Sequence, residues 1–468
     1  MKKQLFFDDN KLFSKENVKR QYGRPSLIAK YRDEDVSTDF CTGWVFSVDG
    51  GYRLLYFGHS NGFEGHKLFS AKSTDGINFA PEKLFETGEG TGKQFAHEIM
   101  DLGKAEIGFI YEDTHTDKSE ERYKLLMSSV ATDRIRVNDD IYVSADLIKW
   151  KKLEGAQWGD GAEPLTSVFY NKHVGAHTVI SRDFWGIRSA GYRETQDFFN
   201  YSDYHFCLNV DSLDESLAEI YGMFAFEYDG NYIGVPHIYH GFGSGLHTKY
   251  ASGLMDTELA YSTDGRYWHR SLRTPFVSGS DGTLDKEYKM VWVSGISRGA
   301  DGIKLYAAAT EREHGVAFHT PGTGVILVLG LREDGFISLS SDNPEKESVV
   351  ATREKLWHGG ELYVNLKARH ATVAVYTTES QGEDMNILGI AKALEGFSHE
   401  DCVPFCGDST SWTPEYKSGK RISELVGKTL VFELKFEYGE VYSFGGDFTD
   451  IFNVEGAIYR RHRVLRLK

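Results

Sequence analysis

A short motif recurs four times in this chain, and it limits the possible folds more than any other feature. Ser73-Thr74-Asp75-Gly76-Ile77-Asn78-Phe79 reappears as Ser144-Ala145-Asp146-Leu147-Ile148-Lys149-Trp150. It returns as Thr195-Gln196-Asp197-Phe198-Phe199-Asn200-Tyr201 and as Ser262-Thr263-Asp264-Gly265-Arg266-Tyr267-Trp268. Each copy has a hydroxyl residue, any residue, Asp, and an aromatic four positions after the Asp. In such a turn Asp accepts backbone N–H groups, Gly tolerates positive φ, and the aromatic folds back onto a sheet. The copies lie 71, 51 and 67 residues apart. That spacing fits four-stranded blades of a β-propeller with insertions between them.

The segments between the copies alternate in short runs: GYRLLYFGHS, RYKLLMSSV, NYIGVPHIYH, KMVWVSGIS, IKLYAAAT, GELYVNL, ATVAVYTT and TLVFELKF. Each is rich in β-branched and aromatic residues and is bounded by Gly, Asp or Asn, the pattern of strands. The one helical candidate is Asp211 to Tyr221, DSLDESLAEIY. A fifth blade is read over Asp285 to Leu331, with the N-terminal segment supplying its closing strand and so removing a free sheet edge. After Arg332-Glu333-Asp334-Gly335-Phe336 and the polar stretch Ser341 to Glu347, the pattern becomes that of a sandwich. The expected fold is all-β: a five-bladed β-propeller over residues 1–338, then a β-sandwich over residues 339–468.

Lys plus Arg is 53 against 69 Asp plus Glu, a net charge of −16. That balance argues against nucleic acid or anionic lipid as a partner, because phosphate binding needs a basic footprint. No stretch approaches 18 uninterrupted apolar residues, so no membrane partner is expected. The basic N-terminal segment lacks the apolar core of a secretory signal. Four cysteines (Cys41, Cys207, Cys402, Cys406) are too sparse for a disulfide scaffold. Cys402 and Cys406 have no second Cys/His pair at zinc spacing, so neither metal nor cofactor is expected. A reduced, cytoplasmic protein is the simplest expectation.

Several stretches carry a resemblance to a known family. They are Glu121-Arg122-Tyr123-Lys124, Leu259 to Trp268 (LAYSTDGRYW) and Arg332 to Leu339 (REDGFISL). The C-terminal third adds Gly360-Glu361-Leu362-Tyr363-Val364-Asn365, Gly396-Phe397-Ser398, Asp401-Cys402, Gly407-Asp408 and Val441-Tyr442-Ser443-Phe444. In these the chain resembles bacterial five-bladed β-propeller glycoside hydrolases with a C-terminal β-sandwich, of the glycoside hydrolase family 32/43-like type. The Trp-Met-Asn-Asp-Pro-Asn, Arg-Asp-Pro and Glu-Cys strings of family 32 proper are absent, so the resemblance does not extend to an invertase or inulinase. It implies a hydrolase whose substrate is a carbohydrate, either an oligosaccharide or a glycoside. The alternative is a carbohydrate-binding propeller without turnover.

Glycoside hydrolysis needs an acid and a nucleophile or base on opposite sides of one bond. In a propeller, residues ahead of each innermost strand converge on a single funnel. The carboxylates at such positions are Asp39, Glu98, Glu163 and Glu258. Asp39 is read as nucleophile or base, Glu163 as general acid, and Glu98 as the group that orients the sugar or tunes the acid. Glu258 is the replacement acid if Glu163 points away. Like charges gathered in one funnel raise the pKa of at least one member. Substrate-binding candidates are Trp44, His97, Arg182, Arg188, His237, Trp292 and His314, with Tyr239 and His240 as further funnel-side residues. The arginines offer bidentate hydrogen bonds, and Trp44, Trp185 and Trp292 offer stacking surfaces.

Overall fold

A computed structural model describes residues 2–36, 42–59, 66–87, 92–103, 105–130, 136–159, 163–184, 188–241, 253–299, 301–314, 322–377 and 393–451. Nearly all of the regular structure in these residues is β, with short 3-10 turns at Ser119–Glu121 and Ile422–Leu425. The helical candidate, Asp211 to Tyr221, forms no helix. Asp211 accepts the N–H of Leu213 at 2.9 Å, and Asp214 accepts the N–H of Asp211 at 2.8 Å. These side chains satisfy the backbone locally and so compete with helix formation. A strand begins instead at Ala218.

The chain divides into two compact units. The larger comprises residues 24–228 and 232–332, and the smaller residues 1–23, 229–231 and 333–468.

The larger unit is a succession of antiparallel groups in chain order. The first contains Gly43–Val48, Gly51–His59, His66–Ser73 and Ala80–Pro81, with Glu98–Gly103 added beside the third strand. The second contains Ala105–Glu112, Tyr123–Val130, Arg136–Ser144 and Lys151–Gln157. The third contains Glu163–Asn171, Ala176–Phe184, Arg188–Thr195 and His205–Leu208. The fourth contains Ala218–Tyr228, Asn231–Gly241, Ala260–Ser262 and His269–Arg270, with Gly253–Thr257 also on its second strand. The fifth contains Met290–Gly299, Gly302–Thr310 and Gly324–Leu331, and Ser26–Tyr31 completes it from the N-terminal side. One parallel pair, Met255 with Met290, joins the fourth and fifth groups.

The first strands of the five groups touch one another. Trp44 packs edge-on against Phe109 at 6.4 Å, and Phe109 lies 6.1 Å from Phe224. Ser167 Oγ donates to the Met223 carbonyl at 3.0 Å and accepts from the Ala225 N–H at 3.1 Å. Ser294 Oγ donates to the Gly43 carbonyl at 2.8 Å.

All four copies of the repeated motif form the same turn. Asp197 Oδ1 accepts the N–H groups of Phe199 and Asn200, each at 2.8 Å, and Thr195 Oγ1 accepts that of Phe198 at 2.8 Å. Asp75, Asp146 and Asp264 repeat this pattern. The residue after each Asp has positive φ: Gly76, Leu147, Phe198 and Gly265, at 70°, 66°, 62° and 76°. Leu147 and Phe198 adopt it despite their side chains, and both are buried in the core.

Each turn also rests on the group before it. Arg53 donates to the Asp146 carbonyl at 2.8 Å. The Lys124 ammonium lies 5.0 Å from the Phe198 ring centre. Asn171 donates to the Asp264 carbonyl at 2.7 Å. The turn of the first group is held by the fifth, through Tyr306 Oη donating to the Gly76 carbonyl at 2.9 Å.

The smaller unit is built on a nine-stranded sheet. Its central strand, Lys355–Thr377, runs for 23 residues. The first half pairs antiparallel with Glu440–Asp450, and the second half pairs mainly parallel with Thr429–Glu437. Gly359 and Gly360, with φ of 135° and 72°, interrupt the first pairing. Trp357 fills the core, stacked 6.3 Å from Phe448 and edge-on to Phe432 at 5.3 Å. Lys3 is buried among Asp334, Glu333 and Asp229 at 2.7, 2.8 and 3.3 Å. Burial opposes its charge, but Asp334 and Glu333 outweigh that and hold the ammonium pKa above its usual value.

Candidate functional site

The first strand of the fourth group opens Ala218-Glu219-Ile220-Tyr221. Strand alternation puts Glu219 and Tyr221 on one face. The third group brings two arginines to that face. Arg182 lies 4.1 Å from the Tyr221 ring centre and donates to the Tyr221 carbonyl at 3.0 Å. Arg188 lies 5.3 Å from the Tyr221 ring and 5.6 Å from that of Tyr239. It is ion-paired with Glu219, which also accepts the Arg188 backbone N–H at 3.3 Å. His314, beyond the second strand of the fifth group, hydrogen-bonds Tyr221 Oη through Nε2. Its ring stands edge-on to Tyr221 at 5.0 Å and to Tyr239 at 5.4 Å. Met255, Met290 and Trp292 form the buried floor beneath the two tyrosines.

His237 sits two residues before Tyr239, on the same face of its strand. Its Nε2 is 2.9 Å from the Val293 carbonyl, which only accepts, so Nε2 carries the proton and Nδ1 the lone pair. Burial pushes the imidazole pKa down to about 4, so the ring is neutral at pH 7. Among the described residues Nδ1 has no hydrogen-bond partner, and neither does the buried Tyr239 hydroxyl, whose pKa burial raises to about 12. Trp292 donates to Thr42 Oγ1 at 3.2 Å. Trp44 is buried against Phe109, and its indole N–H also lacks a partner among the described residues.

The group therefore gathers two guanidinium forks, two tyrosines and two imidazoles, with the His237 Nδ1 lone pair buried among them. Such a set suits a ligand whose polar groups both donate and accept, as hydroxyls do. The Cα of Glu163 is paired in register with that of Arg182, so the backbone brings Glu163 beside this group. The Glu163 side chain, Asp39 and Trp185 lie outside the described residues.

The other candidates are held in separate networks. Glu98 is buried in the extra strand of the first group, where Lys67 Nζ meets its carboxylate at 2.8 Å and Gln94 N–H at 3.2 Å. His97 Nε2 lies 2.7 Å from Asp33, which also accepts from Tyr56 Oη. Glu258 takes both prongs of the Arg270 fork at 2.7 and 2.8 Å. Burial raises its carboxyl pKa despite Arg270. Arg182, Arg188, His237, Trp292 and His314 are thus gathered together. Glu219 and Tyr221 complete the group and were not picked out as site residues from the sequence. The alternation of Ala218 to Phe224 was the available signal, masked by the helical look of the residues before it.

No family model and no curated protein sequence matches the chain. Solved structures similar to it include a thermostable family-43 glycoside hydrolase, at 14% identity over 70% of this chain and 98% of that one, with a TM-score of 0.43. A glycosyl hydrolase from Bacteroides ovatus matches at 14% identity over 66% and 93%, with a TM-score of 0.40. The α-L-arabinanase of Cellvibrio cellulosa matches at 12% over 64% and 93%, with a TM-score of 0.39.

Proposed function

We propose that this chain is a glycoside hydrolase acting on an oligosaccharide or glycoside in the cytoplasm. Its five groups of strands are taken as the blades of a propeller, and residues 339–468 as a β-sandwich. The observation that carries this reading is the gathering of Arg182, Arg188, Tyr221, Tyr239 and His314 near the start of an inner strand, with Glu163 in register opposite Arg182. In this reading Glu163 is the general acid and Asp39 the nucleophile or base. The arginines, the tyrosines and His237 bind sugar hydroxyls. Glu98 and Glu258, each ion-paired, have structural parts. A screen of 4-nitrophenyl glycosides and oligosaccharides with purified protein tests the activity. Glu163→Gln should then lower turnover by about 100-fold, the usual order for a lost acid, and leave folding intact. Near-normal turnover in that variant would remove Glu163 from the mechanism.

A second reading, a carbohydrate-binding protein without turnover, is favoured by one observation. Two of the four expected carboxylates, Glu98 and Glu258, are already committed to Lys67 and Arg270. Sugar binding with no hydrolysis anywhere in the screen would select it.

A further inference from the structure

A different cleft lies between the outermost strands of the third and fourth groups, His205–Leu208 and His269–Arg270. It is an open cleft of about 370 Å³, within the range of small-ligand sites. Phe206 lines it and is 58% exposed, its ring steadied edge-on by Tyr204 at 5.5 Å. Facing polar groups are held in place beforehand. Arg273 is gripped by Asp211 and by Asp214, the latter at 3.0 Å. Arg270, buried behind it, is paired with Asp214 and Glu258, each at 2.7 Å. Asn209 is exposed at the rim. Trp268 also lines the cleft and is only 5% exposed, a buried wall rather than a projecting ring.

We propose that this cleft is a non-catalytic binding site for a neutral sugar. Phe206 stacks on the C–H face of one ring, while Asn209, Asp211 and Arg273 meet its hydroxyls. The charges favour a neutral ligand. Two arginines already face three carboxylates, so their charge is compensated before a ligand arrives. A hydroxyl suits the wall because it donates to Asp211 and accepts from Arg273. The site is separate from the arginine–tyrosine group, and sugar can bind here whether or not the protein hydrolyses glycosides.

The test uses the full chain with xylotriose, mannotriose, maltotriose and galactotriose, followed by saturation-transfer NMR and calorimetry. At least one trisaccharide should bind. Phe206→Ala should weaken that binding by about tenfold, as removal of a stacking aromatic anchor does, with Tm and any turnover of 4-nitrophenyl glycosides unchanged. Absence of binding by all four sugars would overturn the proposal, as would binding indifferent to Phe206. Preference for a trigalacturonate would overturn the neutral assignment. Displacement by an extended tetrapeptide with no sugar effect would make the cleft a peptide-docking surface instead.

Discussion

Asn171 should be a clamp whose loss is felt across two groups of strands. It is fully buried at the end of the third group's first strand. Its Nδ2 donates to the Asp264 carbonyl at 2.7 Å, and its Oδ1 accepts from Tyr232 Oη and from the His173 N–H, each at 3.0 Å. Asn171→Ala removes all three bonds and leaves the Tyr232 hydroxyl in a dry interior. At about 1 kcal/mol per bond, plus a further ~1 kcal/mol for the stranded hydroxyl, the cost is about 4 kcal/mol. For a unit of this size, about 2 °C per kcal/mol predicts a fall of about 8 °C in the transition of the larger unit. Calorimetry reads it directly. Asn171→Asp keeps both acceptor contacts but turns an oxygen toward the Asp264 carbonyl, so its defect should shrink at acid pH, where the carboxyl can donate. Gly265→Ala offers a check from the other side. A Cβ there would lie 2.6 Å from Asn171 Nδ2, at a residue with φ of 76°. If Asn171→Ala melted within 1 °C of the parent, the clamp would not bear on stability and the reasoning would fail.

Three other outcomes are expected. Gly253→Ala would place a Cβ 2.5 Å from the Tyr239 ring, so the ring must move away from Arg188 and His314. Steady-state kinetics should then show KM raised several-fold with kcat less affected. The turn aspartates stabilise the fold above the unfolded carboxylate pKa of about 3.9 and lose that contribution as pH falls through their lower folded values. Asp197 is lowered chiefly by the Asn200 N–H. Acid melts followed by circular dichroism should therefore be shallower for Asp197→Asn. His240 has its pKa raised by its hydrogen bond to Asp256, burial opposing and Glu215 adding to it. Its contribution is present below about pH 6.5 and disappears as pH rises through the raised value; urea melts at pH 6 and 8.5 should differ less in His240→Gln.

What the sequence made legible was what acts locally. The Asp turns could be read because Asp and Ser or Thr bond to N–H groups two and three residues away. The strands could be read because alternation is a property of neighbours. The N-terminal closing strand followed from the need to cover an edge, and Ser26–Tyr31 does so. Carboxylates were harder. A glutamate near a strand looks the same whether it faces a ligand or a cation from elsewhere, and the partners of Glu98 and Glu258 lie 31 and 12 residues off. Asp211 to Tyr221 misled because its charges at helical spacing serve Arg270 and Arg273 rather than a helix face. Glu219 was hidden inside that same stretch.

The docking of each turn on the preceding group has a consequence for synthesis on the ribosome. The partners of the second and fourth turns, Arg53 and Asn171, precede them by 93 residues and have already been translated when the turns emerge. The first turn is different. Its carbonyl at Gly76 waits for Tyr306, 230 residues later. Ser26–Tyr31 likewise waits for Gly324–Leu331 before it has any strand to join. The oldest part of the nascent chain is thus the last to be finished, with one edge and one turn left open for most of elongation. Early stops or ribosome stalling before residue 306 would release chains whose N-terminal strands are exposed to wrong pairing, a hazard of non-local β topology. Chaperone dependence should accordingly fall once the fifth group has left the exit tunnel.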